Sequence, residues 1–140
     1  MLIASYTFPD GLLFDRDHNW ARLDGAIVTQ GMSDFGQRLA GEIVYAEAPR
    51  LGRQVQQGDP LLSIESGKWV GRIKAVVGGT VVEVNQEVER ESTIINRDPY
   101  GAGWLVKIEL TNRTDLEALL KTSSPAFADF IAAERKKYRR

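Results

Sequence analysis

Apolar and polar residues alternate, or form short apolar runs, over most of the chain between positions 20 and 110. Turn-forming residues interrupt this pattern at close intervals, and an apolar period of two broken by frequent turns is typical of short β-strands. Val and Ile are common in the runs, and their β-branched side chains favour a pleated surface. We predict strands over residues 26–29, 42–46, 61–64, 72–77, 80–84 and 104–110.

Short groups of glycine, aspartate and proline separate these strands. They supply the positive or fixed φ angles with which a chain reverses direction, and they are Asp24-Gly25, Gly58-Asp59-Pro60, Gly78-Gly79 and Asp98-Pro99-Tyr100-Gly101. Many short strands joined by tight turns predict a mainly β fold, a small sandwich or barrel, with helices confined to its periphery.

One peripheral helix is predicted over residues 33–41. Ser33 is a good N-cap, Phe35 and Leu39 share one face, and Gly41 is a typical helix end. The helix is short, and Gly36 weakens it.

Two further helical signals follow the last strand. Thr114-Asp115-Leu116-Glu117 matches a capping box, and the resulting helix would place leucines 116, 119 and 120 on one stripe. Ser124-Pro125 resembles an N-cap followed by proline at the first helical position, with an apolar face continuing through residues 127, 130 and 131. We therefore expect a single domain over residues 1–140, with a core at about 12–110 and C-terminal helices at about 114–138.

The composition excludes most intrinsic chemistry. The 140 residues include no cysteine and one histidine, so disulfides, zinc knuckles, iron–sulfur ligation and thiol nucleophiles are excluded, and we expect no metal site and no catalytic residue. With 18 basic and 19 acidic side chains the net charge is −1, which does not favour nucleic-acid binding.

The ends of the chain suggest where the protein works. The first ten residues lack the basic n-region and long apolar core of a signal peptide, and no stretch approaches the ~20 apolar residues of a membrane span. We expect a cytoplasmic monomer with no membrane partner. Five of the 18 basic residues lie in the last six positions. We interpret this basic end as a frayed, solubilising tail, and the alternatives are a helix C-terminus favoured by the macrodipole and a partner-docking patch.

A lysine lies between two predicted strands, in the segment Glu65-Ser66-Gly67-Lys68-Trp69-Val70. A lysine at a hairpin tip projects into solvent from a backbone that both strands fix, which is the geometry a modifying enzyme needs to reach the amine. Taken alone, however, a lysine in a β-turn is usually just a solvated residue.

Several separated motifs resemble, in the same order, those of the glycine cleavage system H-protein family, a form of the lipoyl- and biotinyl-carrier fold. The resemblance covers roughly residues 12 to 131, and the family's Glu-Ser-x-Lys modification motif matches Glu65-Ser66-Gly67-Lys68. The other matching segments are His18-Asn19-Trp20, Gly31 to Gln37, Gly41-Glu42-Ile43-Val44, Gly79, Val81 to Asn85 and Asn96 to Trp104.

The resemblance implies a lipoyl-domain-like β-sandwich, a barrelled hybrid motif, in which Lys68 carries lipoic acid in amide linkage. It implies a non-catalytic carrier whose swinging arm is a substrate of its partner enzymes, so the cofactor would supply the chemistry and the protein its position. Glu65, Ser66, Gly67 and Trp69 then form the attachment hairpin, which a lipoate-attaching ligase or transferase would recognise.

The sequence departs from the glycine-cleavage pattern close to the lysine. Gly67 and Trp69 stand where the family usually has Val and Ala, Gly71-Arg72 replaces Ser-Asp, and Val76 replaces a proline. Glu65 to Gly71, together with Thr29 to Gln37, also resembles the lipoate-binding proteins of the heterodisulfide-reductase-like sulfur oxidation system.

Two carrier roles follow from these resemblances. We expect the arm to carry sulfur to a heterodisulfide-reductase-like complex. The alternative is a glycine-cleavage carrier that passes an aminomethyl group among the P-, T- and L-proteins. A biotin carrier is disfavoured, because such domains flank the lysine with Met, and an unmodified interaction domain stays open.

Overall fold

A computed structural model of the chain describes residues 1–140, with twelve strands, four α-helices and one 3₁₀-helix. The strands are β1 (Leu2–Ile3), β2 (Tyr6–Thr7), β3 (Leu13–Phe14), β4 (Asn19–Asp24), β5 (Ile27–Met32), β6 (Ile43–Glu47), β7 (Gln54–Val55), β8 (Pro60–Ser66), β9 (Val70–Lys74), β10 (Gly79–Val84), β11 (Val106–Leu110) and β12 (Leu120–Lys121). The α-helices are α1 (Asp34–Ala40), α2 (Gln86–Arg90), α3 (Ile94–Arg97) and α4 (Pro125–Tyr138), and the 3₁₀-helix covers Arg113–Ala118.

The strands form three antiparallel sheets, which confirms the predicted mainly β fold. A seven-stranded sheet has the order β12-β3-β4-β5-β11-β10-β7, a three-stranded sheet has the order β6-β8-β9, and β1 pairs with β2. The β4–β5 pair turns at the predicted Asp24-Gly25, where Gly25 has a φ of +61°. The three-stranded sheet matters most for the site, because it contains β8 and β9 on either side of the motif lysine.

Buried apolar side chains form two clusters. The larger, here called the β cluster, has 21 buried residues drawn mainly from the facing strands of the two larger sheets, Val28, Ile64, Val81 and Ile108 among them. The smaller, here called the aromatic cluster, contains Tyr6, Phe8, Leu12, Phe14, Trp20, Phe35, Phe127 and Ile131. Helix α4 packs on the aromatic cluster through Phe127 and Ile131, so the two ends of the chain share one apolar core.

Two helices begin as their capping residues predict. The Ser33 hydroxyl accepts a hydrogen bond from the Gly36 amide at 3.0 Å at the start of α1, and the helix ends at Gly41 with a φ of +85°. At the start of α4, the Ser124 hydroxyl accepts from the Ala126 amide, and Pro125 occupies the first helical position.

The prediction of an α-helix from the Thr114 capping box is wrong. The side chain of Asn112 caps this segment by accepting from the Thr114 amide at 3.0 Å, and the turn that follows is 3₁₀. Asp115 is held by its carboxylate, which accepts from the Gly78 amide at 2.9 Å. Leu119 is then extended and Leu120 pairs with Phe14 as strand β12, so pairing with the sheet edge replaces a second helical turn.

The end of strand β9 and the basic C-terminal segment also differ from the predictions. Strand β9 ends at Lys74 rather than at 77, because the Val76 amide donates to the buried Gln30 side chain at 3.0 Å instead of to a neighbouring strand. The basic end is exposed but not frayed, since α4 is helical to Tyr138 and the Arg140 guanidinium donates to the Arg38 carbonyl at 3.2 Å. It is a helix C-terminus with basic residues in its last turn, which is one of the alternatives considered from the sequence.

Candidate functional site

The motif lysine lies at the tip of the β8–β9 hairpin. Glu65 pairs with Val70 across the two strands, and the Ser66 amide donates to the Trp69 carbonyl at 2.8 Å, which closes the turn. Gly67 and Lys68 are the two residues between these ends, and both are exposed. The hairpin therefore presents Lys68 to solvent on a backbone fixed by both strands.

Ser66 fastens this hairpin to the end of helix α1. Its buried hydroxyl donates to the Ala40 carbonyl at 2.5 Å and lies 3.3 Å from the Lys68 amide, from which it accepts. The Ala40 carbonyl belongs to the last turn of α1, where helix carbonyls lack intrahelical partners. One side chain thus satisfies the helix end and fixes the backbone of the lysine.

Gly41 lies directly against the stem of Lys68. A Cβ atom at Gly41 would lie 2.9 Å from the lysine Cε, which is closer than carbon atoms pack. The φ of +85° at this residue is also one that only glycine adopts readily. Glycine at this position leaves room for the lysine side chain as well as ending the helix.

Asn96 holds the same helix end from the other side. Its amide group donates to the Gly41 carbonyl and to the Gln37 side chain, both at 2.9 Å, and its oxygen accepts from the Ile43 amide at 2.8 Å. The residue occurs in the motif that matches the family, but spacing alone gave it no role. Its function is visible only once α3 is seen to pack beside α1.

Trp69 packs back onto its own strand. A Cβ atom at Gly71 would overlap the indole, so a glycine two residues after the tryptophan is a steric requirement of this ring position. The ring is 37% exposed. It also lines an open cavity of about 410 Å³ between the hairpin, α1, α4 and the β3–β4 turn.

Glu65 is half-buried and lies between Tyr45 and Val70 in the cross-strand register. It is not a member of any of the five ion pairs in the structure. Its carboxylate is therefore free to contact a partner on the outer face of the hairpin.

His18 is built into the wall of the cavity. Its Nε2 lies 2.7 Å from the Glu134 carboxylate of α4, and its ring lies between Phe35 and Phe130 with centroid distances of 4.9 and 5.3 Å. These contacts join α4 to the β3–β4 turn. The role of His18 that they indicate is therefore a structural one.

The turn at Pro99 and Tyr100 braces the start of α1. The Tyr100 hydroxyl accepts from the Asp34 amide at 2.9 Å and donates to the Thr7 carbonyl at 2.6 Å, and burial raises the pKa of this phenol. The Trp20 indole donates to the Pro99 carbonyl at 2.9 Å. Tyr100 packs against the aromatic cluster, and it keeps its proton at any ordinary pH.

No group of three His, Asp or Glu side chains is placed to hold a metal ion. None of the helices is both long and apolar enough to cross a membrane.

Comparison with known proteins identifies the group to which this architecture belongs. The model of the family "Glycine cleavage H-protein" matches residues 12–129. The glycine cleavage system H protein of Carboxydothermus hydrogenoformans is 41% identical over 112 residues, which cover 80% of this chain and 86% of the relative. The glycine cleavage system H protein 4 of Aquifex aeolicus is 39% identical over 129 residues, which cover 92% of this chain and 74% of the relative.

A solved structure agrees with these sequence relatives. The crystal structure of a glycine cleavage system H protein from Mycobacterium marinum superposes with a TM-score of 0.75 at 29% identity, covering 87% of this chain and 98% of the other. The matched range contains the hairpin, the brace around α1 and the first turn of α4. The chain belongs to the glycine cleavage H-protein family.

Proposed function

We propose that Lys68 carries a lipoyl group in amide linkage and that the chain is the carrier subunit of a glycine cleavage system. The observation that carries the proposal is the exposure of Lys68 at the tip of the β8–β9 hairpin, within a Glu-Ser-x-Lys motif of a chain that belongs to this family. We propose further that residues 1–140 act as one domain, since the first and last elements share the aromatic cluster.

The residues around Lys68 suit an attached arm. The lysine is in none of the five ion pairs, so its amine is free to react and loses no ion-pair partner when acylation removes its charge. Gly41 leaves space for its stem, and Ser66 fixes its backbone. Lipoate would supply a dithiolane, which this cysteine-free chain lacks.

The role proposed for the protein is non-catalytic. The hairpin presents the amine to a lipoate-attaching ligase or transferase, which would contact Glu65. The buried Ser66 holds the backbone of the lysine, and Gly67 and Trp69 shape the turn around it. Partners would be the P-, T- and L-proteins of glycine cleavage, among which an aminomethyl group is passed. The relatives from Carboxydothermus hydrogenoformans and Aquifex aeolicus, which bear the glycine cleavage name, support this choice.

Intact mass tests the attachment. The chain is co-expressed with a lipoate-attaching enzyme and lipoate, and we expect one lipoyl increment that is lost in Lys68→Arg. Lys74→Arg is the matched control, because Lys74 is an exposed lysine on β9 of the same hairpin. An unmodified wild-type chain, or an increment that survives in Lys68→Arg, would refute the proposal.

The sulfur-carrying role stays a prediction from the sequence, without support from the relatives named above. One structural observation favours it. The surface beside the lysine is bulkier and more basic than in the family pattern, because Trp69 replaces an alanine and Arg72 replaces an aspartate. Docking partners discriminate by the shape and charge of such a surface.

Reconstitution separates the two cargoes. The lipoylated chain is mixed with glycine cleavage P-, T- and L-proteins, and we expect glycine-dependent NADH formation that the Lys68→Arg variant does not support. A lipoylated chain that is inactive in this assay, but accepts sulfur from a sulfur donor, would favour the sulfur-carrying role instead.

A further inference from the structure

The outer face of the β6–β8–β9 sheet is open to solvent. Along β9 the side chains alternate, so that Ile73 is buried in the β cluster while Val70 and Arg72 are exposed on the opposite face. The cross-strand register continues this face through Ser63 of β8 to Glu47 of β6. Val70 is 72% exposed, so no other part of the chain covers the sheet beside the lysine.

Three arginines gather on this face, and we call Arg50, Arg53 and Arg72 the arginine face. Arg50 and Arg53 lie in the loop between β6 and β7, and Arg72 lies on β9. Together they line an open depression of about 300 Å³, whose only carboxylate is that of Glu47. None of the three guanidinium groups belongs to an ion pair. The wall of this depression therefore has an excess of positive charge.

Arg53 is held in place before any partner binds. Its guanidinium donates to the Pro60 carbonyl at 2.7 Å and to the Leu61 carbonyl at 3.3 Å, and the residue is half-buried. Arg50 and Arg72 are exposed beside it. Like charges around one depression repel one another, and a carboxylate placed among them would relieve the repulsion. A guanidinium that is already fixed also loses little conformational freedom on binding, which favours association.

The surroundings of the arginines suit a protein rather than a small anion. Leu51, next to Arg50, is 59% exposed, and Val70, two residues before Arg72 on the same face, is the most exposed large apolar side chain in the molecule. Arginine beside apolar side chains is typical of protein interfaces, whereas a small anion would leave these apolar groups in water. A protein bound over this face would cover both of them.

The arginine face lies beside the candidate attachment site. Arg72 is four residues after Lys68 in the same hairpin, and about 7 Å of strand separates it from Val70. A partner on this face would stand next to the arm and leave the tip of the hairpin free. Glu65 pairs with Val70, and Glu47 lies across β8 from Arg72. These carboxylates would repel an acidic partner that moved off the arginines, which fixes where it docks.

We infer that the arginine face is a docking surface for a partner protein that presents carboxylates. The inference deepens the proposed function, because it gives the chemistry of an enzyme that visits the arm of Lys68. It rests on that function, but not on the identity of the cargo. Arg72 stands where the family pattern has an aspartate. An enzyme that matches that aspartate with a basic group would be repelled here, so the arginines select for an acidic partner.

Charge reversal tests the docking surface in the reconstituted reaction. The lipoylated chain is the varied substrate of its cognate P-, T- and L-proteins at low salt. We expect Arg72→Asp to raise KM for the chain about tenfold and to leave kcat unchanged, with a smaller effect at high salt. Arg113→Asp is the control, because Arg113 lies beside Gly25 at the β4–β5 turn and does not line the depression. An unchanged or lower KM for Arg72→Asp would overturn the inference.

Charged peptides test the surface without the arm. The unmodified chain is titrated with octaglutamate, with octalysine and with an oligothymidylate of the same length, while NMR follows the backbone amides. We expect saturable shifts at residues 50–53 and 70–72 with octaglutamate alone. These shifts should be lost in the double variant Arg50→Gln and Arg72→Gln.

The outcomes separate this inference from the proposed function. No saturable shift with octaglutamate, or equal shifts with octalysine, would overturn the docking surface. Equal shifts with the oligonucleotide would assign the face to polyanions in general and contradict a protein partner. Octaglutamate binding by a chain that cannot be lipoylated would refute the proposed function and leave the docking surface standing.

Discussion

At the scale of single residues, the contact between Gly41 and Lys68 links the end of a helix to the candidate attachment site. Gly41→Ala should cost about 1–3 kcal/mol through its strained φ, and its Cβ, 2.9 Å from the lysine Cε, should also displace the lysine and slow lipoylation. Unfolding in urea and the rate of lipoylation measure the two effects separately.

Gly52 provides the control for Gly41. It has almost the same φ, +83°, but a Cβ there would meet nothing within 4 Å. Gly52→Ala should therefore lose stability through backbone strain and keep the normal rate of lipoylation. Equal rates in the two variants would show that the contact between Gly41 and Lys68 has no influence on attachment.

Asp15 gives the molecule a specific dependence on pH. Desolvation by burial raises the pKa of this carboxyl above its ordinary value of 3.8, against the lowering effect of hydrogen bonds from Asn19 and Asp17. The folded state then binds the proton more tightly than the unfolded chain does. The stabilisation that protonated Asp15 provides is present at low pH and is lost as the pH rises through the raised pKa.

Asp15→Asn removes this titration. The free energy of unfolding of the wild type, minus that of the variant, should fall as the pH rises above 3.8, and urea titrations between about pH 3 and 7 measure it. Asp24→Asn is the control, because Asp24 is exposed. A difference that rises with pH for Asp15→Asn would mean that hydrogen bonds to the carboxylate outweigh its desolvation.

At the scale of elements, sequence signals succeed where a local interaction decides the structure. Ser33 and Ser124 cap their helices as predicted, because a hydroxyl one position before a helix reaches an amide two or three residues on. The prediction of an α-helix at Thr114 fails because the conformation of this segment depends on residues that are distant in sequence. Gly78 binds its Asp115 and Phe14 pairs with its Leu120, and neither partner is near in sequence.

The candidate site shows the same difference between features that local sequence predicts and features that depend on distant residues. The hairpin and its exposed lysine follow from two strands with a short turn between them, and the structure has both. The supports of the hairpin, Ala40, Gly41 and Asn96, lie between 25 and 30 positions away along the chain. The cavity beside the hairpin was not predicted, because its lining comes from elements that are distant in sequence, among them the β3–β4 turn, α1, β9 and α4.

The bond from Ser66 to the end of α1 can be tested as a junction between elements. Ser66→Ala would leave the Ala40 carbonyl without its donor, at a cost of about 1–3 kcal/mol for an unsatisfied buried group. Amide hydrogen exchange should accelerate at residues 67–69 and at the end of α1. Ser63→Ala on the same strand is the control, and equal acceleration in both variants would contradict a fastening role for Ser66.

At the scale of the whole molecule, the two apolar clusters support different parts of the protein. The hairpin rests on the β cluster through Ile64 and Ile73, whereas α4 rests on the aromatic cluster through Phe127 and Ile131. The cavity lies where the two meet, with Ile73 and Met32 on one side and His18 and Glu134 on the other. Damage to one cluster should therefore affect lipoylation of Lys68 and the stability of α4 differently.

Two truncations of buried side chains test this separation. Phe127→Ala should cost about 3–5 kcal/mol and Leu61→Ala about 2–5 kcal/mol, since both residues are at most 2% exposed. In native-state hydrogen exchange, Phe127→Ala should accelerate β1 to β3 and α4 and leave lipoylation of Lys68 intact. Leu61→Ala should accelerate β8 and β9 and slow lipoylation. If Phe127→Ala accelerates β8 and β9 as much as α4, the clusters unfold as one unit, and attachment depends on the aromatic cluster as well.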